Sequence, residues 1–167
     1  MPYAYYTNLK SKDKAIYRSS DKIETIELPD ASSFYPLIQQ LETTLATESQ
    51  KETERILKSL ANGILSNLEL KPVTIKLLAA RPSHEWGELH GLYEPSEGKQ
   101  RAKITVWMRT AHHKRVVAFR TFLRTLLHEI CHHLDYKFLD LEDSFHTEGF
   151  FKRESSLFKQ LVSENPK

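Results

Sequence analysis

Cysteine is nearly absent from this chain of 167 residues: Cys131 is the only one. A lone thiol cannot close an internal disulfide, so the fold must rest on its core, and the expected compartment is the reducing cytoplasm. Glycine is scarce, with 5 residues, and so is proline, with 7, which excludes collagen-like and Gly/Pro-rich low-complexity chains. No stretch approaches the roughly 18 consecutive apolar residues of a membrane span. The opening MPYAYYTNLKSKDK lacks the apolar segment of a signal peptide, so no membrane partner is expected. Neither sign of charge dominates. The balance of 24 Lys+Arg against 22 Asp+Glu leaves a formal net charge of +2, which is not the footprint of a strongly basic nucleic-acid binder. What is present is an ordinary globular composition, 40% hydrophobic and 28% charged. The length suits one domain, able to bury about 70% of its unfolded surface.

The patterning predicts an α+β order without internal repeats. Residues 1–32 read as an extended, mixed N-terminal arm. It carries Tyr3, Tyr5 and Tyr6, then Lys10, Lys12, Lys14, Arg18 and Lys22, with one strand over Lys22–Leu28. Residues 33–167 read as a single domain. Leu37, Ile38, Leu41 and Leu45 form one helical stripe and Ile56, Leu57, Leu60, Ile64 and Leu65 a second, with residues 47–50 between them. Three strands follow: one from Val73, one over Gly87–Tyr93, and one over Ala102–Arg109 that alternates as if half-buried. A helix is expected over roughly 113–136, with His112 and His113 at its start, and a last helix over about 144–163.

Residues 128–132 read His-Glu-Ile-Cys-His, an H-E-x-x-H motif. On a helix, residues four apart stack on one face, so His128 and His132 can bind one zinc ion. Glu129 lies roughly 100° round the helix and can reach a metal-bound water without being a ligand. With His128 at 0°, His132 falls at roughly 40° and Asp135 at roughly −20°. Phe119, Leu123, Leu126, Ile130 and Leu134 cluster opposite, so imidazole face and core face separate. Asp135 reads either as a surface acid at the C-terminal end of the helix or as an acceptor for a ligand imidazole. Cys131 is read as a small packed residue. His133 is read as satisfied or exposed away from the ligands. His84 and His90 flank the second strand with no role assigned. Tyr93 and Tyr136 are candidates to stabilise an oxyanion.

A catalytic zinc usually takes three protein ligands and a water. The third must come from beyond His132, and His146, Glu148 and Glu154 are the candidates. His146 is favoured: the 13 intervening residues allow the first helix to finish, turn and meet the start of the next. Phe150 and Leu157 would anchor that helix in the core.

HEICH followed by SFHTEGFF resembles the SprT-like zinc metallopeptidases, small zincins that pair an HExxH helix with a later H-x-x-x-F or H-x-x-x-W. His146 and Phe150 hold those spacings, and the resemblance covers roughly residues 70–160. It implies a zincin-like catalytic domain in which His128, His132 and His146 hold Zn2+ and Glu129 is the general base. The substrate would be a protein or peptide, aligned along an edge strand. Thr147 stands where many relatives carry glycine, and no cysteine-rich zinc ribbon follows. The alternatives are a zincin with Glu154 as ligand, a non-catalytic zinc domain binding a partner or nucleic acid, and a latent peptidase whose tyrosine-rich residues 1–8 fill the cleft.

Overall fold

The computed structural model describes residues 2–85 and 87–162. It is an α+β fold of five helices and a small mixed sheet. The elements are α1 (Ser11–Asp21), α2 (Tyr35–Ala46), α3 (Gln50–Asn67), β1 (Thr74–Ala80), β2 (Ser83–His84), β3 (Gly87–Glu88), β4 (Gly91–Glu94), β5 (Lys103–Arg109), α4 (Phe119–Lys137) and α5 (Glu148–Leu161). The expected end of the last helix at about 163, like residues 163–167 of the predicted domain, lies outside the described residues.

The two helical stripes form α2 and α3, separated at residues 47–49. Ser49 stops the first from running into the second: it caps α3, its side chain accepting from the Glu52 amide at 3.3 Å, with Glu52 in the first turn. That Ser-x-x-Glu pairing satisfies amides the helix cannot. α3 buries Ile56, Leu57, Leu60, Ile64 and Leu65 completely. Thr147 caps α5 in the same way, accepting from the Phe150 amide at 2.8 Å. Its capping oxygen is what a glycine there would lack.

The sheet runs β1-β5-β4, with β1 parallel and β4 antiparallel to β5. The expected alternation along β5 does not hold. Ile104, Val106 and Met108 join the core, and Thr105 and Trp107 on the other face are buried too. β5 is the central strand, so side chains of both neighbours shield it, whereas alternation reports a strand with one wet face. The expected strand over Gly87–Tyr93 is split. Gly87, at φ 124°, turns β3 back on β2 as a two-residue ladder, and pairing with β5 begins only at Gly91.

Three further expectations fail. α4 starts at Phe119, not near 113, and His112 and His113 lie in a turn before it. Lys114 adopts a left-handed conformation at φ 53°, and Thr110 donates to the Arg115 carbonyl, so the chain doubles back before the helix begins. Residues 4–21 are not an extended arm: they form a short 3-10 segment, Ala4–Asn8, and α1, which docks on α5. Nor is there a strand over Lys22–Leu28. Ile26 and Leu28 enter the core individually, and the side chain of Gln160 satisfies their backbone, accepting from the Leu28 amide and donating to the Ile26 carbonyl.

Candidate functional site

α4 buries Leu123, Leu126, Ile130 and Leu134 completely and turns His128 and His132 towards the start of α5. His146 comes from the loop just before Thr147. The ring centroids of His128, His132 and His146 form a near-equilateral triangle with sides of 4.8, 4.9 and 5.0 Å. Phe150 is fully buried, with its ring 5.0, 4.8 and 5.2 Å from the three imidazoles in that order, so it serves as their common floor. The Nε2 atom of His146 is 3.1 Å from that of His128 and 3.0 Å from that of His132.

The far nitrogens settle what those Nε2 atoms carry. Ser144 donates its one hydroxyl proton to Asp135 Oδ2 at 2.7 Å, so its oxygen accepts from His132 Nδ1, also at 2.7 Å. Glu154 can only accept from His128 Nδ1 at 2.9 Å. Both Nδ1 atoms are therefore the protonated ones, and both Nε2 lone pairs point at one spot with His146 beside them. Nitrogens around a tetrahedral zinc at about 2.0–2.1 Å would stand about 3.3 Å apart, close to what is seen. Among the described residues these three histidines form a group able to hold a metal ion. Burial, with the neighbouring imidazoles adding to it, lowers His132 to about 3, and it lowers His146 as well. Both rings are thus held neutral, the state a metal ligand needs.

The other candidates are placed elsewhere. Glu154 sits behind His128, with Arg124 at 3.7 Å. Glu148 is exposed on α5 beside Lys152. Cys131 is buried in the core, and burial pushes its thiol well up. His133 is buried and bonded through Nδ1 to the Tyr93 hydroxyl at 2.8 Å. That bond occupies the Tyr93 hydroxyl, and Tyr136 donates to Asp143 at 3.1 Å. Asp135 is neither a surface acid nor a direct partner of His132; it is fully buried, and Ser144 stands between them. The tyrosines of the first residues do not line the cleft. Tyr5 donates to the His146 carbonyl at 2.8 Å, and Tyr3 packs against Phe151.

Glu129 is 6% exposed. Burial raises its carboxyl to about 7; His128 opposes this and Glu154 reinforces it. Two cavities of about 410 and 330 Å3 flank it and share His128, Glu129 and Gly91, so they are two lobes of one groove under β4. His90, Thr125, Arg124 and Phe151 wall the first lobe; Leu92, Tyr136 and Ser144 line the second. None of these wall positions follows from the motif. His90 and Gly91 enter only because β4 pairs with β5 in a register that carries them over α4.

Gly91 is required by contact. A Cβ there would stand 2.7 Å from Glu129 Oε2 and 2.9 Å from Thr125 Cγ2. Gly91→Ala is therefore expected to push the carboxylate aside or lift β4, destabilising the fold by about 1–3 kcal/mol as overpacking does. Urea unfolding of the two proteins measures it, and an unchanged midpoint would show that β4 does not press on α4.

No protein-family model matches the chain, nor does any curated protein or solved structure.

Proposed function

We propose that this chain is a zinc-dependent metallopeptidase with a zincin-like catalytic arrangement, akin to the SprT-like family that HEICH and SFHTEGFF resemble. The observation that carries the reading is the convergence of three imidazole Nε2 atoms beside a buried carboxylate raised to about 7, in a groove roofed by an edge strand. His128, His132 and His146 would hold Zn2+, which when bound polarises a carbonyl and acidifies a water. Glu129 takes the proton of the attacking water and hands it to the leaving amine, a task for which a value near neutrality is well matched. The free edge of β4 offers backbone groups to an extended protein or peptide. Glu154 and Ser144 hold the two α4 imidazoles in the tautomer that bares Nε2. Cys131 is in the core and Glu154 is behind His128, so neither completes a closed four-ligand site; this favours hydrolysis over a structural zinc or a nucleic-acid-binding module.

A cytoplasmic setting belongs to the same reading. Among the described residues no helix is long and apolar enough to cross a membrane. Protein purified without chelator should carry about one zinc per chain by elemental analysis. It should cleave a casein-like substrate, losing that activity to a chelator and regaining it with added zinc. A folded protein that rejects zinc would overturn the proposal.

A further inference from the structure

We propose that the N-terminal segment positions the histidine cluster, through a chain of hydrogen bonds running from the end of α1 to His132. The inference rests on the metal reading above and adds residues that no motif marks.

The chain begins at the end of α1. Arg153, fully buried on α5, donates through Nη1 to the carbonyls of Ser20 at 2.6 Å and Ile23 at 2.5 Å, and through Nη2 to Ser20 Oγ at 2.9 Å. The same Nη2 donates to Asp135 Oδ1 at 3.0 Å. Asp135 Oδ2 takes the Ser144 proton, and Ser144 accepts from His132. An ion pair with both side chains wholly buried is costly to desolvate unless its remaining groups find partners. Here Ser20 and Ile23 supply partners to both Nη groups, Nε being left without one among the described residues, and Ser144 supplies that of the carboxylate.

The dock itself is tight. Ser20 Oγ meets Thr147 Oγ1 at 3.1 Å, and Asp21 accepts from the Gly149 amide at 2.9 Å. A Cβ on Gly149 would stand 2.5 Å from the Asp21 carbonyl oxygen. A second tie from the same segment, Tyr5 to the His146 carbonyl, holds the loop that carries the third imidazole. Residues 5–23 thus brace two of the three histidines from behind while leaving the groove open. Ser144, Asp135 and Arg153 are positioning residues: they fix where the His132 ring points and which of its nitrogens is bare.

The test uses the full-length chain and zinc itself. Affinity is measured by competition with a chromogenic chelator, ligand geometry by the visible bands of the cobalt(II) form, and stability by the melting temperature of the metal-free protein. Ser144→Ala should weaken zinc binding about 10–100-fold, as loss of such outer partners does, and Ser144→Thr should recover most of it. Gly149→Ala keeps every polar side chain but drives α1 away; it should weaken binding about 10-fold and alter the cobalt bands. If it fails to fold, Ser20→Ala takes its place with the same expectation. Parent protein that binds zinc while these variants bind within twofold of it would overturn the positioning role and leave the metal reading standing. So would a fall in melting temperature with affinity and bands unchanged. A parent that binds no zinc would overturn the metal reading, and this inference with it.

Discussion

Glu129→Gln is expected to retain zinc and to lose hydrolysis. The substitution keeps the shape of the side chain and removes the proton acceptor, while all three imidazoles stay in place. A positioned general base contributes about 10²–10⁴-fold, so turnover of a casein-like substrate should fall by at least that range while zinc content stays near that of the parent. A variant that cleaved as fast as the parent would rule out Glu129 as the base. The same substitution has a second, opposite consequence for stability. The Glu129 carboxyl is raised from 4.5 to about 7 by burial. Between those pH values the folded chain keeps a proton that the unfolded chain has released, so stability falls as pH rises through this window. Above it, carrying a buried carboxylate costs the metal-free protein on the order of 3 kcal/mol. Metal-free Glu129→Gln should therefore be more stable than the parent at pH 8 and no more stable at pH 4. Denaturant midpoints at the two values check the sign.

His146→Ala should weaken zinc binding by orders of magnitude, and Glu154→Gln only about 10–100-fold. The ranking follows from which nitrogen each residue meets. His146 presents Nε2 to the Nε2 atoms of His128 and His132, so removing it takes away one of three converging donors. Glu154 lies at Nδ1, on the far side of the His128 ring. Glutamine there can still accept from that nitrogen, though without the charge. Zinc titration of both variants decides between them, and the reverse order would make this a glutamate-type centre.

The motif helix was legible because its two faces differ. A stripe of Leu123, Leu126, Ile130 and Leu134 can only face a core, and that leaves His128 and His132 pointing elsewhere. The later helix was legible from Phe150 and Leu157, but it begins at Glu148 and not near 144, which leaves His146 in the loop before it. α1 was hidden for the opposite reason: of SKDKAIYRSSD only Tyr17 and Ser20 are buried, so no apolar period marks it. Its place is set by polar contacts to α5 that periodicity does not record. Ser144 and Gly91 were hidden because each matters through a partner on another element, Asp135 and His132 for the serine, Glu129 for the glycine. The alternation of β5 misled because a local pattern cannot tell a central strand from an edge one. The start of α4 was misplaced because nothing in TAHHKRV announces a left-handed turn at Lys114.

The bonds that seat Arg153 on α1 join residues 130 and 133 positions apart in the chain. Contacts of such separation close a long loop, and closures of that kind slow folding more than they lower stability. Helix formation alone brings His128 and His132 together on α4, whereas His146 precedes α5 and comes into place only when that helix docks. Completion of the site waits on the last helix capturing the first. Zinc affinity would then report whether α1 and α5 have docked.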